Sequence, residues 1–390
     1  MEQPAVFLHK GKEKAVKNRH HWIFSGAVKS LPSFFENGSI LPVRAAEGEF
    51  LGHAYFNREC SIIGRMVNFD EKPPLDAIAD NLERAIALRR TFAGASTNAY
   101  RLVNGEGDGL PGLIADLYHD VLVLQISTLG MERLKPFVLD LVTRRLAPRV
   151  IYEKSNLPSR REEGLGMFEG YLRGEPVGPF EILENGLRFL VDIVPSQKTG
   201  FYLDQREMRL LVRSLAGGRR VLNAFSYTGG FSVFALAGGA VSADSVDSSD
   251  RALDLARENC RINGYDSEKS RFYVADVFDF IRERTLDYDF IILDPPAFAK
   301  KRSDVTGACR GYKDIHRLIF QKAPPRSLVL TFSCSFFVTE TLFQQVLFQA
   351  AREASRDVRI LQRHHQAYDH PVNLYHPEGD YLKGFLLYVE

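Results

Sequence analysis

Cysteine is scarce in this 390-residue chain: the four thiols, Cys60, Cys260, Cys309 and Cys334, stand far apart. None lies in a C-x-x-C pair, so no disulfide framework is laid out and no metal site is expected. Reduced thiols in a cytoplasmic protein are the expectation. Long apolar runs are missing too. No stretch approaches the roughly 18 consecutive apolar residues of a membrane span. The opening MEQPAVFLHKGKEKAVK lacks the apolar core of a secretory signal. No membrane partner is therefore expected. An excess of one charge is also absent. The net charge of +1 makes no bulk electrostatic argument for nucleic acid. Neither a P-loop nor a full G-x-G-x-x-G fingerprint occurs, which removes the usual pyrophosphate cradles. Repeats and low-complexity segments are lacking as well.

What is present suffices for a folded protein of two or three domains, because 45% hydrophobic residues can fill sizeable cores. Charge is concentrated locally. Residues 1–30 carry Lys10, Lys12, Lys14, Lys17, Arg19 and Lys29 against Glu2 and Glu13. Such a patch is either a solvated edge or a phosphate-binding surface. Residues 1–72 read as a small β module, with short runs such as FLGHAYF and SIIGRMV between turn clusters. DEKPP reads as a linker, and PLDAIADNLERAIALRRTFA has helical spacing. Residues 73–184 read as a central α+β module, closed by SRREEGLGMFEGYLRGEPVGPF, which has turn composition. From 185 to 390 strands alternate with amphipathic helices, which argues for an α/β, doubly wound and largely parallel sheet. Ligands of such sheets bind at the carboxyl ends of the strands.

Two constellations fall at those ends. The strand RRVLNAF runs into SYTGGFS and then a helix. Gly229 and Gly230 there let backbone approach a ligand and free helix N–H groups to face it. Asp247 closes the next strand, where an acid can accept hydrogen bonds from ribose hydroxyls. Asp276 ends the following strand and can hold a base amino group. Structural turn glycines alone would explain less. The ordered set, with a later DPP and no pyrophosphate cradle, points to S-adenosylmethionine rather than a dinucleotide. On the acceptor side, YDFIILDPPAFAKK puts Asp294 at a strand end beside two prolines that fix the turn. A lone D-P-P also caps turns. LTFSCSFF puts Cys334 at the end of the next strand, facing the same cleft. A thiolate there is a nucleophile, and Lys198, Lys300, Lys301 and Arg310 are candidate cations to activate it. The other three cysteines read as structural.

These motifs resemble a known family. SQKTGFYLDQREMR, VLNAFSYTGGF, DPPAFAK, GACRGYKDIHRL, LTFSCS and DHPVNLYHPEGDYLKGF are similar, in order, to the bacterial 23S ribosomal RNA methyltransferases of the large-subunit methyltransferase I type, which make 5-methylcytosine. RHHWIFSGAVKS is similar to the start of their N-terminal PUA domain, and YRLVNGEGDGLPGLIAD to their central domain. The resemblance implies a PUA RNA-binding domain over 1–72, a central α+β domain over 73–184 and a class I, Rossmann-like methyltransferase domain over 185–390. It implies S-adenosylmethionine as cofactor, held by Asn223, Phe225, Ser226, Tyr227, Thr228, Gly229, Gly230, Asp247 and Asp276, with Phe201, Asp204 and Gln205 against it. It also implies Cys334 as nucleophile, Asp294 as its acid partner, and 23S rRNA as substrate. Lys10, Lys12, Lys14, Arg19, Lys300 and Lys301 are the candidate RNA contacts. Whether the chain is a monomer or a homodimer stays open.

The chain departs from the pattern in three places. DPPAF carries no second thiol, which leaves the base that removes the C5 proton unassigned. His20–His21 replaces a more usual His-Pro pair, and KAPPRSL replaces a glycine-rich turn. Two other functions compete. An rRNA N-methyltransferase would use D/N-P-P followed by an aromatic ring, but Ala297 follows here and Phe298 comes one place late. An RNA-binding protein with an inactive methyltransferase domain would not need the full run of Gly229, Asp247, Asp276, Asp294 and Cys334.

Overall fold

The computed structural model describes residues 4–196, 198–265 and 268–390. Glu2 of the N-terminal charge count and Gln197 of the SQKTG stretch lie outside them. The chain forms two compact units. The first comprises Met1–Ile182, Val191–Leu203 and Tyr368–Gly379; the second comprises Leu183–Leu190, Asp204–Ala367 and Asp380–Glu390.

The first unit contains a six-stranded and a five-stranded sheet. The six-stranded sheet runs in the order Trp22–Phe24, Ile62–Asn68, Phe50–Phe56, Ile40–Arg44, Val6–Leu8, Val28–Ser30. Its strands show the period-2 pattern of a one-faced sheet: Leu41 and Val43 are buried while Ile40, Pro42 and Arg44 are only partly so. Val6, Leu8, Ile23, Leu41, Val43, Phe56 and Met66 make one core. His21, in place of the usual proline, is buried edge-on to the Phe69 and His376 rings. Burial first, then the neighbouring cations, push its pKa down to about 3.

Helix Pro74–Arg90 follows, as its spacing predicts. Proline in the first turn needs no N–H partner, and Asp76 and Arg89–Arg90 suit the two ends of the helix dipole. Its Ile78, Leu82, Ala85 and Ile86 pack on Leu113, Leu122 and Leu124 of the five-stranded sheet. One reading changes here. The stretch expected to be turns holds a short helix, Ser159–Glu162, and a strand, Phe168–Arg173, antiparallel to Val150–Ser155. This is an edge strand with no fully buried residue, so it carries no apolar alternation to read.

The second unit is built on α1 (Arg206–Leu215), β1 (Arg220–Ala224), α2 (Gly230–Ala237), β2 (Ser242–Asp247), α3 (Asp250–Ile262), β3 (Ser270–Val274), α4 (Val277–Glu283), β4 (Phe290–Leu293), α5 (Val305–Lys322), β5 (Ser327–Ser333), α6 (Glu340–Glu353), β6 (Val358–His364) and β7 (Lys383–Val389). The seven-stranded sheet has the order β3-β2-β1-β4-β5-β7-β6. Strands β1 to β5 pair in parallel, whereas β7 runs antiparallel to both β5 and β6. All four residues of β4 and all seven of β5 are buried, the near-continuous apolar pattern of strands covered on both faces. Leu222, Ile291, Leu293, Val329, Ile315, Phe320, Phe343 and Val346 join sheet and helices in one core. The chain turns from β3 back past β1 to β4, so the sheet's switch point lies between β1 and β4.

Candidate active site

Register places four strand ends together. Ala224 of β1 pairs with Val246 of β2 and with Leu293 of β4, and Leu293 pairs with Thr331 of β5. The next residues, Phe225, Asp247, Asp294 and the Phe332–Cys334 segment, therefore leave the sheet along one edge.

The first of these segments is a strained turn. Phe225 (φ 60°), Tyr227 (φ 46°) and Gly229 (φ 75°) all take left-handed backbone. For two aromatic residues this is costly and needs support from outside the turn. Asp247 supplies part of it: one carboxylate oxygen accepts the Tyr227 N–H and the other the Ser249 N–H, each at 2.9 Å. Asn259 Nδ2 holds the Thr228 carbonyl at 2.9 Å. Below the turn, the buried Asn223 donates from Nδ2 to Ser232 Oγ at 2.9 Å. A Cβ on Gly229 would lie 2.8 Å from that of Ala256, so glycine is required by space as well as by φ. Gly230 then opens α2. Asn223 Oδ1 and Ser226 Oγ are buried acceptors with no hydrogen bond. A turn with spare buried acceptors and close backbone approach fits a ligand rich in N–H and O–H groups.

Asp276 serves a local purpose. It is exposed at the N-cap of α4, where one oxygen accepts from Phe278 and Asp279 N–H at 2.8 and 3.1 Å. Gln205 Nε2 donates to Asp294 Oδ2 at 3.1 Å, and Asp204 accepts from Tyr381 Oη at 2.6 Å. These two residues thus brace the Asp294 loop and the segment before β7. Phe201 belongs to the first unit, where it is buried and its N–H meets Tyr118 Oη at 3.2 Å.

Cys334 is half-buried directly beyond β5. The serines beside it anchor its loop. Ser333 Oγ donates to Tyr312 Oη at 3.1 Å, and Ser335 Oγ meets the same hydroxyl at 3.2 Å. Ser335 Oγ also accepts the Ala299 N–H at 3.2 Å, which ties the DPPAFA loop to the cysteine loop. Tyr312, from α5, is fully buried. Burial, aided by negative charge on Cys334 and Asp294, pushes its hydroxyl up to about 12 despite the serine hydrogen bonds. Beneath it His316 bridges the Tyr312 carbonyl and Thr331 Oγ1.

The sequence reading missed Tyr312 and Lys383. Lys383 opens β7 and is buried, with Nζ donating to the carbonyls of Ser335 and Tyr381 at 2.8 and 2.7 Å. Burial lowers its pKa, and negative charge on Cys334 raises it. The thiol and the ammonium therefore lie within electrostatic reach. Both residues sat in motifs quoted for resemblance, GACRGYKDIHRL and DYLKGF, and a lysine heading a buried strand was the available signal. Of the cations first considered, Lys300, Lys301 and Arg310 are exposed. Lys198 belongs to the first unit and lies over the Tyr202 ring. The Phe298 ring is occupied, packed 4.6 Å from Tyr312.

The turn, the paired acid and the strand order define a methyltransferase that uses S-adenosylmethionine, and the family model of that description matches residues 165–368. A second model, for a PUA-like domain, matches residues 6–69. The chain is 41% identical over 387 residues to "Ribosomal RNA large subunit methyltransferase I" of Serratia proteamaculans, covering 97% of this chain and 98% of the relative. It is 40% identical over 389 residues to the protein of that name from Klebsiella pneumoniae, covering 98% and 97%. A solved structure from Streptococcus mutans, described as a SAM-dependent methyltransferase, superposes with a TM-score of 0.83 at 25% identity, over 99% of this chain and 100% of that one. The chain belongs to the ribosomal RNA large subunit methyltransferase I family. Its cofactor is S-adenosylmethionine.

Proposed function

We propose that the protein methylates C5 of a cytosine in 23S rRNA through a covalent bond between Cys334 and C6 of the base. One observation carries this reading: Asp294 and Cys334 leave adjacent parallel strands, their loops are joined by the Ala299–Ser335 hydrogen bond, and the strand before Asp294 neighbours the one that carries the Phe225–Gly229 turn. The bound cofactor supplies an electrophilic methyl group on sulfur. C5 of cytosine is too weak a nucleophile to take it directly. The Cys334 thiolate forms a bond to C6, and the C5=C6 electron pair moves towards C5. In this reading Asp294, braced by Gln205, acts in its protonated form: the carboxyl donates to N3 of the pyrimidine and stabilises the negative charge that develops in the ring. After transfer a base, solvent water in the simplest case, accepts the C5 proton, the C5–H electron pair restores C5=C6, and the C6–S bond breaks to release Cys334 as thiolate. The target base must leave its stack to reach the site. An N-methyltransferase would offer the ring of its D/N-P-P motif to the base, but Phe298 is packed on Tyr312, and such chemistry has no use for Cys334.

In this reading residues 1–72 form the RNA-binding module, 73–184 the central domain and 185–390 the catalytic domain. Lys10, Lys12, Lys14 and Arg19 face RNA phosphates. The test is RNA carrying 5-fluorocytosine, which blocks the final proton loss. Wild-type protein is expected to form a denaturation-resistant adduct with it. Cys334→Ala should form none, should give no 5-methylcytosine on rRNA, and should still bind S-adenosylmethionine. Normal turnover by Cys334→Ala would exclude the covalent route.

A further inference from the structure

Immediately beyond Cys334 the chain places two large apolar rings in solvent. Phe336 is 52% and Phe337 37% exposed, and their centroids lie 5.3 Å apart, edge to face. The turn carrying them is not loose. Ser335 and Val338 on either side are fully buried, and the Val338 N–H bonds the Ser335 carbonyl at 3.0 Å. Thr339 caps α6 by accepting the Leu342 N–H at 3.2 Å. Single exposed apolar residues are ordinary on protein surfaces. This pair differs because a pinned backbone displays it two and three residues from the proposed nucleophile. With Arg302, Val305 and Thr339 the rings line a cavity of about 630 Å³.

Arg302 brings a cation to the cavity lining, and Lys300 and Lys301 directly precede it in the chain. Lys300, Lys301 and Arg302 are all exposed, and among the described residues none pairs with an acid. Of the acids nearby, Glu340 pairs with Arg363, and Asp304 accepts the Lys301 backbone N–H. Flat aromatic surface beside unpaired cations is the combination that single-stranded nucleic acid recognises, with bases on the rings and phosphates on the charges. Turning a cytosine out of its stack also strips its neighbour of a stacking partner.

We propose that Phe336 and Phe337, with Arg302, form a stacking subsite for an unpaired nucleobase flanking the target cytosine. The subsite rests on the RNA reading above and adds to it a determinant of substrate affinity. The rings replace the stacking lost on extrusion, and the Lys300–Arg302 run holds the adjoining phosphates.

The experiment measures KM for RNA, KM for S-adenosylmethionine and kcat for wild type, the double variant Phe336→Ala/Phe337→Ala and the double variant Phe336→Tyr/Phe337→Tyr. It uses substrate RNA that is intact or abasic at the nucleotide beside the target. With alanines, KM for RNA should rise roughly 5- to 100-fold, the range of base–aromatic stacking, while KM for S-adenosylmethionine holds. Tyrosines should restore it. The abasic substitution should raise KM in wild type and add little in the alanine variant. At saturating RNA the alanine variant should still form the 5-fluorocytosine adduct. Failure of wild type to form that adduct would sink the covalent reading instead. Equal losses in the alanine and tyrosine variants, or additive effects of abasic site and alanines, would overturn the subsite. So would an unchanged KM for RNA, including one accompanied by lost self-association, which would assign the rings to a second copy of the chain.

Discussion

At the scale of single residues, Cys334 is distinguished from the other thiols by its surroundings. Burial, with the negative charge of Glu163, pushes Cys60 up to about 12; burial alone pushes Cys260 up to about 12 and Cys309 upward. Cys334 has the Lys383 ammonium within reach, and a nearby cation favours thiolate. Iodoacetamide at pH 8, read by peptide mass, should therefore label Cys334 before the other three by more than about tenfold. Lys383→Met should slow Cys334 labelling several-fold and leave Cys309 unchanged; equal slowing of both would mean general distortion. The place of Cys334 at a strand end was legible because the apolar run before it reads as a buried strand. Its supports were not. Tyr312 acts from a helix, and Lys383 lies nearly fifty residues further along the chain, so only the fold brings them to Cys334. His316 yields a second residue-level prediction. Burial pushes it down to about 4, whereas an unfolded histidine titrates near ~6.5. Between those values the unfolded chain binds the extra proton, so stability present above pH 6.5 is lost as pH falls towards 4. The slope is about 1.4 kcal/mol per pH unit while only the unfolded form is protonated. Melting temperature should fall from pH 7.5 to 5.0, and less steeply in His316→Asn.

At the scale of elements, the catalytic sheet was the most readable part. Strands buried on both faces and amphipathic helices alternate there, and Asp294 and Cys334 fall where buried runs stop. The helix carrying Tyr312 starts at Val305 although Gly307 and Gly311 weaken the helical signal of its first turns, because the buried Ala308, Tyr312, Ile315 and Ile319 secure it. The edge strand Phe168–Arg173 was invisible for the opposite reason: it buries no side chain to mark it. Asp276 shows how one residue can satisfy two readings. Its position suggested a cofactor contact, and its geometry is that of a helix N-cap. The roles separate by substitution. Asp276→Asn preserves an N-cap acceptor and should leave the melting temperature unchanged while weakening S-adenosylmethionine binding several-fold by calorimetry. Asp276→Ala should do both, with about 1 kcal/mol of lost stability. Unchanged cofactor affinity in both variants would reduce Asp276 to a cap.

At the scale of the molecule, a net charge of +1 conceals an uneven distribution. Lys10 faces Glu47 at 3.8 Å with both side chains well exposed, a pairing of little consequence in water. Lys12 and Lys14 are exposed and have no acid partner among the described residues. If they meet phosphates, Lys12→Ala/Lys14→Ala should weaken RNA binding and flatten the plot of log affinity against log salt by about 0.7 to 0.9 per lost contact. An unchanged slope would place the RNA elsewhere.

The position of β7 has a consequence for how the enzyme comes into being. That strand, Lys383–Val389, is inserted between β5 and β6 and pairs along the whole length of β5, from Ser327 opposite Val389 to Ser333 opposite Lys383. Synthesis proceeds from the N-terminus, so the first unit's sheets and β1 to β6 emerge before it. Until β7 arrives, β5 is an apolar strand with an open edge, the kind of surface that invites aggregation or a chaperone. Cys334 at its tip also lacks Lys383. A nascent chain short of residue 383 therefore holds an unfinished sheet and an unassisted thiol. Strand β7 thus closes the edge of β5, and brings Lys383 to the Ser335 carbonyl, only after β1 to β6 have been made.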